Sequence, residues 1–487
     1  MDFTTFHNII AGERRSSSTE YSGTSPTTLL SLWPAPVASS DDVDDAVAAA
    51  QAAFPSWAAK SYVERTRLLD RFADRYLELA DEFTKLLQVE TGRSTQASAI
   101  EVIWAANWLR YPGMKDSLTK EAQYTLPEKR HEDDEKTVLI KYEPLGTVAA
   151  ICPWNSIGKI AQAVATGNCV IVKPSPFTPY SALKLVELAQ EIFPASVIQA
   201  LGGDDQLGPC LVKHPGIHKV SFTGSSATGK RVMRACADTL KRLTLELAGN
   251  NVSIILDDVD VEQTALQTAH ALWFNAGQVC LNARRLFIHE SIYEPFVQAL
   301  VAATNALGGD LASNVGPIQN EMQFQRIKSC LENCRNEGYR FGTGENHKAV
   351  GLFVHPVIID NPPNEASVMQ DEYFGGNFLS CAGYHGYFAY TQLGPVVSCK
   401  PFSSLDNVVD FANQTKSGLD AIIWSKDIDL AESVAVRLDV GSVFINGPPK
   451  PDPFVPFGGH KQSGIGVEYG LEGLLGCCQI KTIHRYK

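Results

Sequence analysis

The sequence predicts an α/β protein built around a doubly wound parallel sheet, and three observations lead there. Short apolar runs, "YEPLGTVAAICPWN", "NCVIVKPSPFTP", "SVIQALGG" and "HKVSFTGSS", each end in Gly, Pro, Asn or Ser, as buried strands do where they run into loops. Stretches with helical apolar spacing, such as "YSALKLVELAQEIF" and "SATGKRVMRACADTL", alternate with them, and strand, helix, strand in that rhythm makes βαβ units. A second α/β region follows from about Asn251 to Gln462, with strand-like "VSIILDD", "RRLFIHE" and "VGSVFING". At 487 residues the chain exceeds what one compact core supports, so two or three domains are expected.

Along the chain, the first forty residues are rich in turn formers, with "SPTT" and "WPAPVASS". Helical periodicity begins at "DDVDDAVAAAQAAFPSWAAK", where Ser40 and Asp41 are placed to cap and acids fill the first turn. One further helix is expected over "VERTRLLDRFADRYLELADEFTKLLQVETG", closed by Gly92, and a third, partly buried, over "IEVIWAANWLRYPG". These helices are scaffold. In an open α/β sheet ligands bind at the carboxyl ends of the strands, so the loops after the later apolar runs are where chemistry is sought.

Composition narrows the function. Hydrophobic content of 44% and charged content of 20% are those of a globular protein. No apolar run reaches the ~18 residues that cross a bilayer, so no membrane partner is expected. The start lacks a basic segment followed by an apolar one, which predicts a cytoplasmic protein. A net charge of −12 argues against nucleic acid as a partner. Eleven cysteines with no C-x-x-C pair read as reduced thiols. Cys330 and Cys334 can share a helix face, and His214 and His218 have the same spacing across "HPGIH", but neither pair has two further ligands nearby, so no metal is expected.

The stretch "SFTGSSATGKR" almost spells a nucleotide-triphosphate loop. That loop needs a hydroxyl after its lysine to ligate magnesium, and Arg231 stands there instead. What remains is a strand, a small-residue turn and a helix opening at Ser225 or Ser226. Such an end is either an ordinary capped helix start or a metal-free site for a phosphate.

Two segments carry candidate chemistry: "LTLELAGNN" around Glu246 and "FNAGQVCLNARR" around Cys280. Singly, Cys280 reads as a small buried hydrophobe and Glu246 as a capping or solvated carboxylate. A thiol just past a turn, with a carboxylate elsewhere to act as base, also fits nucleophilic catalysis, which needs access, a route to the thiolate and a donor for the oxyanion.

The segments "PWN" at Pro153 to Asn155, "VKPSPFTP" from Val172, "SFTGSSATG", "LELAGN", "GQVC", "DEYFG" and "PFGGHKQSG" from Pro456 occur in an order that resembles the aldehyde dehydrogenase superfamily over nearly the whole chain. The resemblance implies a covalent mechanism. Cys280 would attack an aldehyde, with the oxyanion held by Asn155 and the Cys280 N–H. Hydride would pass to NAD or NADP, and Glu246 would activate water to release a carboxylic acid. It places Lys173 at the adenosine ribose, Ser225 at the pyrophosphate, Glu372 and Phe374 at the nicotinamide ribose, and Trp154, Ser175, Pro176 and Gly224 beside them. It further implies a cofactor domain (1–117 and 145–247), a catalytic domain (248–462) and a β bridging arm (118–144 and 463–487) that builds a homodimer or homotetramer.

Three departures qualify the resemblance. Pro176 stands where NAD-preferring members often carry Glu, which relaxes the choice between NAD and NADP. About five residues are missing after Asn155, where only "SIG" precedes "KIAQAVATGN". An aromatic, glycine-rich stretch, Gly375 to Leu393, interrupts the segment after Phe374. Both length changes would fit a mis-spliced gene product, and a catalytically impaired paralogue acting only by binding or oligomerisation is the alternative function they raise.

Overall fold

In the computed structural model, residues 1–113, 129–153, 158–343, 351–370 and 394–487 are described. The first sheet has five parallel strands in the spatial order Ile198–Ala200, Cys169–Lys173, Thr147–Ile151, Lys219–Gly224, Arg242–Leu247. The chain enters at Thr147–Ile151, winds outward through two strands, then crosses back to Lys219–Gly224 and winds the other way. That reversal is the topological switch point, where a crevice opens outside the carboxyl ends of the strands. Antiparallel additions flank the five: Asn8–Ile10 on one edge and Gly464–Ile465 on the other.

Continuous apolar strands are required because both faces are covered. Val148, Ala150, Val170 and Val172 face a core with Trp57, Phe72 and Leu109, while Ala149, Ile151 and Ile171 face Val43, Ala46, Val47 and Leu211 on the other side. A second sheet repeats the plan with Val357–Asp360, Val396–Phe402, Arg285–His289, Val252–Ile255, Asp420–Trp424 and Ser442–Ile445 all parallel, and Arg340–Phe341 antiparallel at its edge. In a third, Cys478–Tyr486 lies antiparallel to Lys136–Pro144, which also pairs with Lys129–Glu132. The segment 463–487 therefore divides, its start joining the first sheet and only its last strand the arm.

Local structure differs from the sequence reading in three places. Ser39, rather than Ser40 or Asp41, caps the first helix, Ser40–Ala58, because Asp42 reaches back to the Ser39 N–H and completes a capping box. The long second helix is two, Tyr62–Glu78 and Ala80–Thr91. Leu79 leaves helical geometry (φ −110, ψ 25), and Asp81 and Glu82 supply a fresh acidic first turn. Gly92 closes the second piece as expected, at φ +71. The next helix, Thr95–Arg110, starts earlier than its apolar run because Ser94 caps it. Among the described residues no helix is long and apolar enough to cross a membrane.

Candidate active site

Cys280 follows a turn that few sequences tolerate. After the helix Val261–Trp273, Asn275 (φ 55, ψ 40), Ala276 (φ 54, ψ 35) and Gly277 (φ 66) are all left-handed. Roughly 1–2 kcal/mol per non-glycine residue opposes that geometry. Gly277 could carry no side chain, since a Cβ would lie 2.6 Å from the carbonyl oxygen of Gly394. Several bonds hold the turn. Gln278 donates its N–H to Asn275 O (2.9 Å) and its amide to Pro317 O (2.9 Å), and accepts the Gln319 N–H (2.8 Å). Arg284 donates to Gly277 O and Gly394 O, each at 2.6 Å. Asn251 Nδ2 donates to Cys280 O at 2.6 Å, which fixes the backbone of the thiol-bearing residue itself.

Cys280 as a residue is partly exposed, and its thiol faces Glu246, which the strand Arg242–Leu247 presents from the first sheet. Burial, and then the Glu246 carboxylate, pushes the Cys280 thiol well above its usual range. Glu246 is 7% exposed, and its Oε1 has no hydrogen-bond partner among the described residues. Burial raises this carboxyl too, with Glu468 adding to the rise and Lys159 opposing it. A carboxyl raised by burial, with one oxygen unsatisfied, is suited to taking a proton.

Lys159 and Glu468 form a buried ion pair behind Glu246, with side chains 0% and 2% exposed. Ser221 joins them, accepting from Lys159 Nζ at 3.2 Å and donating to Glu468 Oε1 at 2.9 Å. Asp420, at the start of a strand of the second sheet, is a further buried acid. Neither carboxyl oxygen has a partner among the described residues, and burial raises it far above the carboxylate range. Its N–H approaches Asn251 Oδ1 at 3.4 Å, the same Asn251 that holds Cys280. Sequence reasoning missed these groups. Asn251 lay within a quoted motif, and Lys159, opening a mainly apolar helix, was the readable hint of a buried cation.

At the switch point, Gly224 ends its strand and Ser225 caps the helix Ser226–Ala237 by accepting the Thr228 N–H at 3.1 Å. Gly229 brings that helix onto the neighbouring strand, for a Cβ there would meet Leu247 Cδ1 at 2.6 Å. Lys173 ends the strand Cys169–Lys173. Its ammonium donates to Pro174 O at 3.1 Å, and burial lowers it to about 8, with Asp205 and Asp204 opposing the fall. Ser175 is buried and accepts from Phe177 N (3.2 Å), and Pro176 is partly exposed at the adjoining turn. A helix start, a close glycine and a buried lysine around one crevice fit a dinucleotide. Trp154, Asn155, Glu372, Phe374 and the stretch Gly375 to Leu393 lie outside the described residues. No group of three or more metal-ligating side chains occurs among those described.

A doubly wound sheet with a dinucleotide-type crevice, facing a thiol and a buried carboxylate, defines a nicotinamide-dependent oxidoreductase. The aldehyde dehydrogenase family model matches residues 14–380 and 391–483, and the chain belongs to that family. The ten residues between the two matched segments, 381–390, fall inside the stretch Gly375 to Leu393. The chain is 54% identical over 490 residues to the aldehyde dehydrogenase LUC3 of a Fusarium species, covering all of both chains. It is 52% identical over 493 residues to the putative aldehyde dehydrogenase FUS7 of Gibberella moniliformis, again end to end. Among solved structures it resembles an NAD-dependent aldehyde dehydrogenase from Sinorhizobium meliloti (26% identity, TM-score 0.90, 99% of this chain and 95% of that one). It also resembles a point mutant of betaine aldehyde dehydrogenase from Staphylococcus aureus in complex with NAD+ (28% identity, TM-score 0.88, 99% and 97%). The protein is an aldehyde dehydrogenase, with NAD or NADP as its cofactor.

Proposed function

We propose that this enzyme oxidises an aldehyde to a carboxylic acid through a covalent adduct on Cys280. The observation that carries the reading is the thiol set against a buried carboxylate with an unsatisfied oxygen, on the mouth of the dinucleotide crevice. The Cys280 thiol gives up its proton to solvent, and the thiolate adds to the carbonyl carbon to give the oxyanion of a thiohemiacetal. The Cys280 N–H and the Asn155 amide are assigned the new oxyanion by resemblance. A bound nicotinamide would supply the hydride acceptor, and loss of hydride from the adduct carbon would leave Cys280 as a thioester. Glu246 then deprotonates water for attack on the thioester carbon, and the carboxylic acid departs as the thiol is restored.

Lys173, Ser175, Pro176, Gly224 and Ser225 line the cofactor end, with Trp154, Glu372 and Phe374 joining them by resemblance. The two large sheets then serve as cofactor and catalytic domains. The exposed arm strand, with Ile480 at 64% and Tyr486 at 72% exposure, serves a homodimer or homotetramer in the cytoplasm. An intact Cys280 and Glu246 argue for turnover over a purely binding paralogue. The test is Glu246→Gln followed by rapid mixing with aldehyde and NAD+. A burst of NADH near one per active site with slow turnover afterwards is expected. Cys280→Ala should show neither burst nor turnover while still binding NAD+, and turnover close to the parent's in Cys280→Ala would defeat the reading.

A further inference from the structure

The left-handed turn before Cys280 has a support from outside its own domain. Arg93 stands at the corner between the helices Ala80–Thr91 and Thr95–Arg110 of the first domain. It forms an ion pair with Glu101, and its Nε donates to Asn275 Oδ1 at 2.8 Å across 182 residues of sequence. The corner itself is seated on the second domain. Gly92 packs so tightly that a Cβ would lie 2.4 Å from Pro317 Cγ, and the carbonyl of that same Pro317 receives the Gln278 amide.

We propose that Arg93 is a positioning residue for the nucleophile, acting from the first domain to hold Asn275 left-handed and so to set where Cys280 stands. The inference rests on Cys280 being the nucleophile. With the guanidinium on Oδ1, the amide of Asn275 is oriented so that Nδ2 donates to Gln278 O at 3.3 Å, two residues before Cys280. Asparagine visits the left-handed region when its side chain is satisfied locally, and alanine visits it only under constraint. Ala276 has no polar atom beyond the backbone with which to hold itself there. The brace on Asn275 therefore supports two strained residues in succession. Arg93 is held in turn: its side chain is only 10% exposed, and burial lowers the guanidinium to about 10, with the nearby Glu90 opposing the fall. Glu90 is committed elsewhere, accepting the N–H groups of Tyr180 and Ser181. An arginine that lost Asn275 would keep Glu101, so the corner can survive while the turn relaxes.

The proposal separates positioning from folding through one substitution. In Arg93→Ala, the turn loses its brace. In Arg93→Ala with Asn275→Gly, position 275 needs no brace, because glycine takes positive φ at no steric cost. Two readouts are taken on folded enzyme: the rate of iodoacetamide labelling of the Cys280 peptide by mass spectrometry, and the rate of the NADH burst. Arg93→Ala is expected to slow both by roughly tenfold or more, the scale of a small misplacement of a reacting group, with the NAD+ dissociation constant within about twofold of the parent. The double variant is expected to recover most of both rates. Arg93→Lys, which cannot serve Glu101 and Asn275 with one fork, is expected between parent and alanine and covers the case in which alanine fails to fold. Parent-like rates in the folded single variants, or a double variant as slow as Arg93→Ala, would overturn the proposal. Labelling of Cys280 that leaves the burst intact would instead strike the nucleophile assignment on which it rests.

Discussion

Removing Lys159 should be among the most damaging single changes in the first domain, and its effect on catalysis should have a sign. Lys159 and Glu468 are 0% and 2% exposed, and Ser221 bridges them from a central strand, so the pair ties the helix Gly158–Ala165, the sheet and the C-terminal segment together. Lys159→Met strands the Glu468 carboxylate in a medium where a broken buried pair costs about 3–5 kcal/mol. Lys159→Met with Glu468→Leu removes both charges and should return close to parent stability, since apolar replacement of a whole buried pair is often neutral or better. Guanidinium unfolding with an unchanged m-value measures both. Catalysis adds a second, independent test, because Lys159 holds the Glu246 carboxyl down and Glu468 pushes it up. The acid limb of the turnover-against-pH profile should move to higher pH in Lys159→Met and to lower pH in Glu468→Gln. Shifts of the same sign, or no shift in either folded variant, would show that the pair does not set the charge of Glu246.

Asp420→Ala should stabilise by about 1–3 kcal/mol at pH 8, the cost of an unsatisfied buried polar group. A carboxyl whose folded value is raised costs stability as pH climbs past its unfolded value near 4, so the gain should shrink toward pH 4 in urea melts, and a pH-independent difference would contradict it. Lys173 carries its charge below about 8 and loses it above, so NAD+ affinity should weaken from pH 7 to pH 9 in calorimetric titrations and stay weak and flat in Lys173→Gln. Pro176→Glu should shift cofactor preference toward NAD+ by roughly 1–3 kcal/mol, read as the ratio of kcat/KM values for the two cofactors. An unchanged ratio would mean that position 176 does not face the ribose. Deleting Gly375 to Leu393 while inserting Phe-Pro-Leu-Val-Leu after Asn155 should raise soluble yield and turnover. Equal turnover from the unaltered chain would show that both length changes are tolerated.

Legibility in the sequence followed the range of the interaction. The parallel strands were readable because burial on both faces leaves continuous apolar runs ending in turn residues, and the Ser225 cap because capping is decided within three residues. Cys280 and Glu246 drew attention through the order of the motifs that carry the family resemblance, since singly each read as an ordinary residue. Lys159 with Glu468 was not, since the partners are 309 residues apart and only packing pairs them. Nothing local marks Arg93, which follows a helix-closing glycine, or Asp420, one polar residue opening a strand. The break at Leu79 was hidden for the opposite reason. The apolar spacing runs on through it, and a change of axis is set by what the two helices pack against.

The division of labour between the two sheets explains why so many bonds converge on one turn. Glu246, Ser225 and Lys173 all belong to the carboxyl ends of strands in the first sheet, whose positions are fixed by parallel register from one strand to the next. Cys280 belongs to the second sheet and precedes its strand Arg285–His289, so it approaches those groups from the amino end, on a connection that no ladder holds. Asn251 and Arg284, which also stand immediately before strands of that sheet, substitute side-chain bonds for the missing ladder: one fixes Cys280 O, the other Gly277 O. Those bonds fix the turn relative to its own sheet only. Arg93 is a link of a different kind, because it refers the turn to the helices packed on the sheet that carries Glu246 and the dinucleotide crevice. Under the proposed mechanism, the distance between sulfur and carboxylate is then governed by a side chain touching neither.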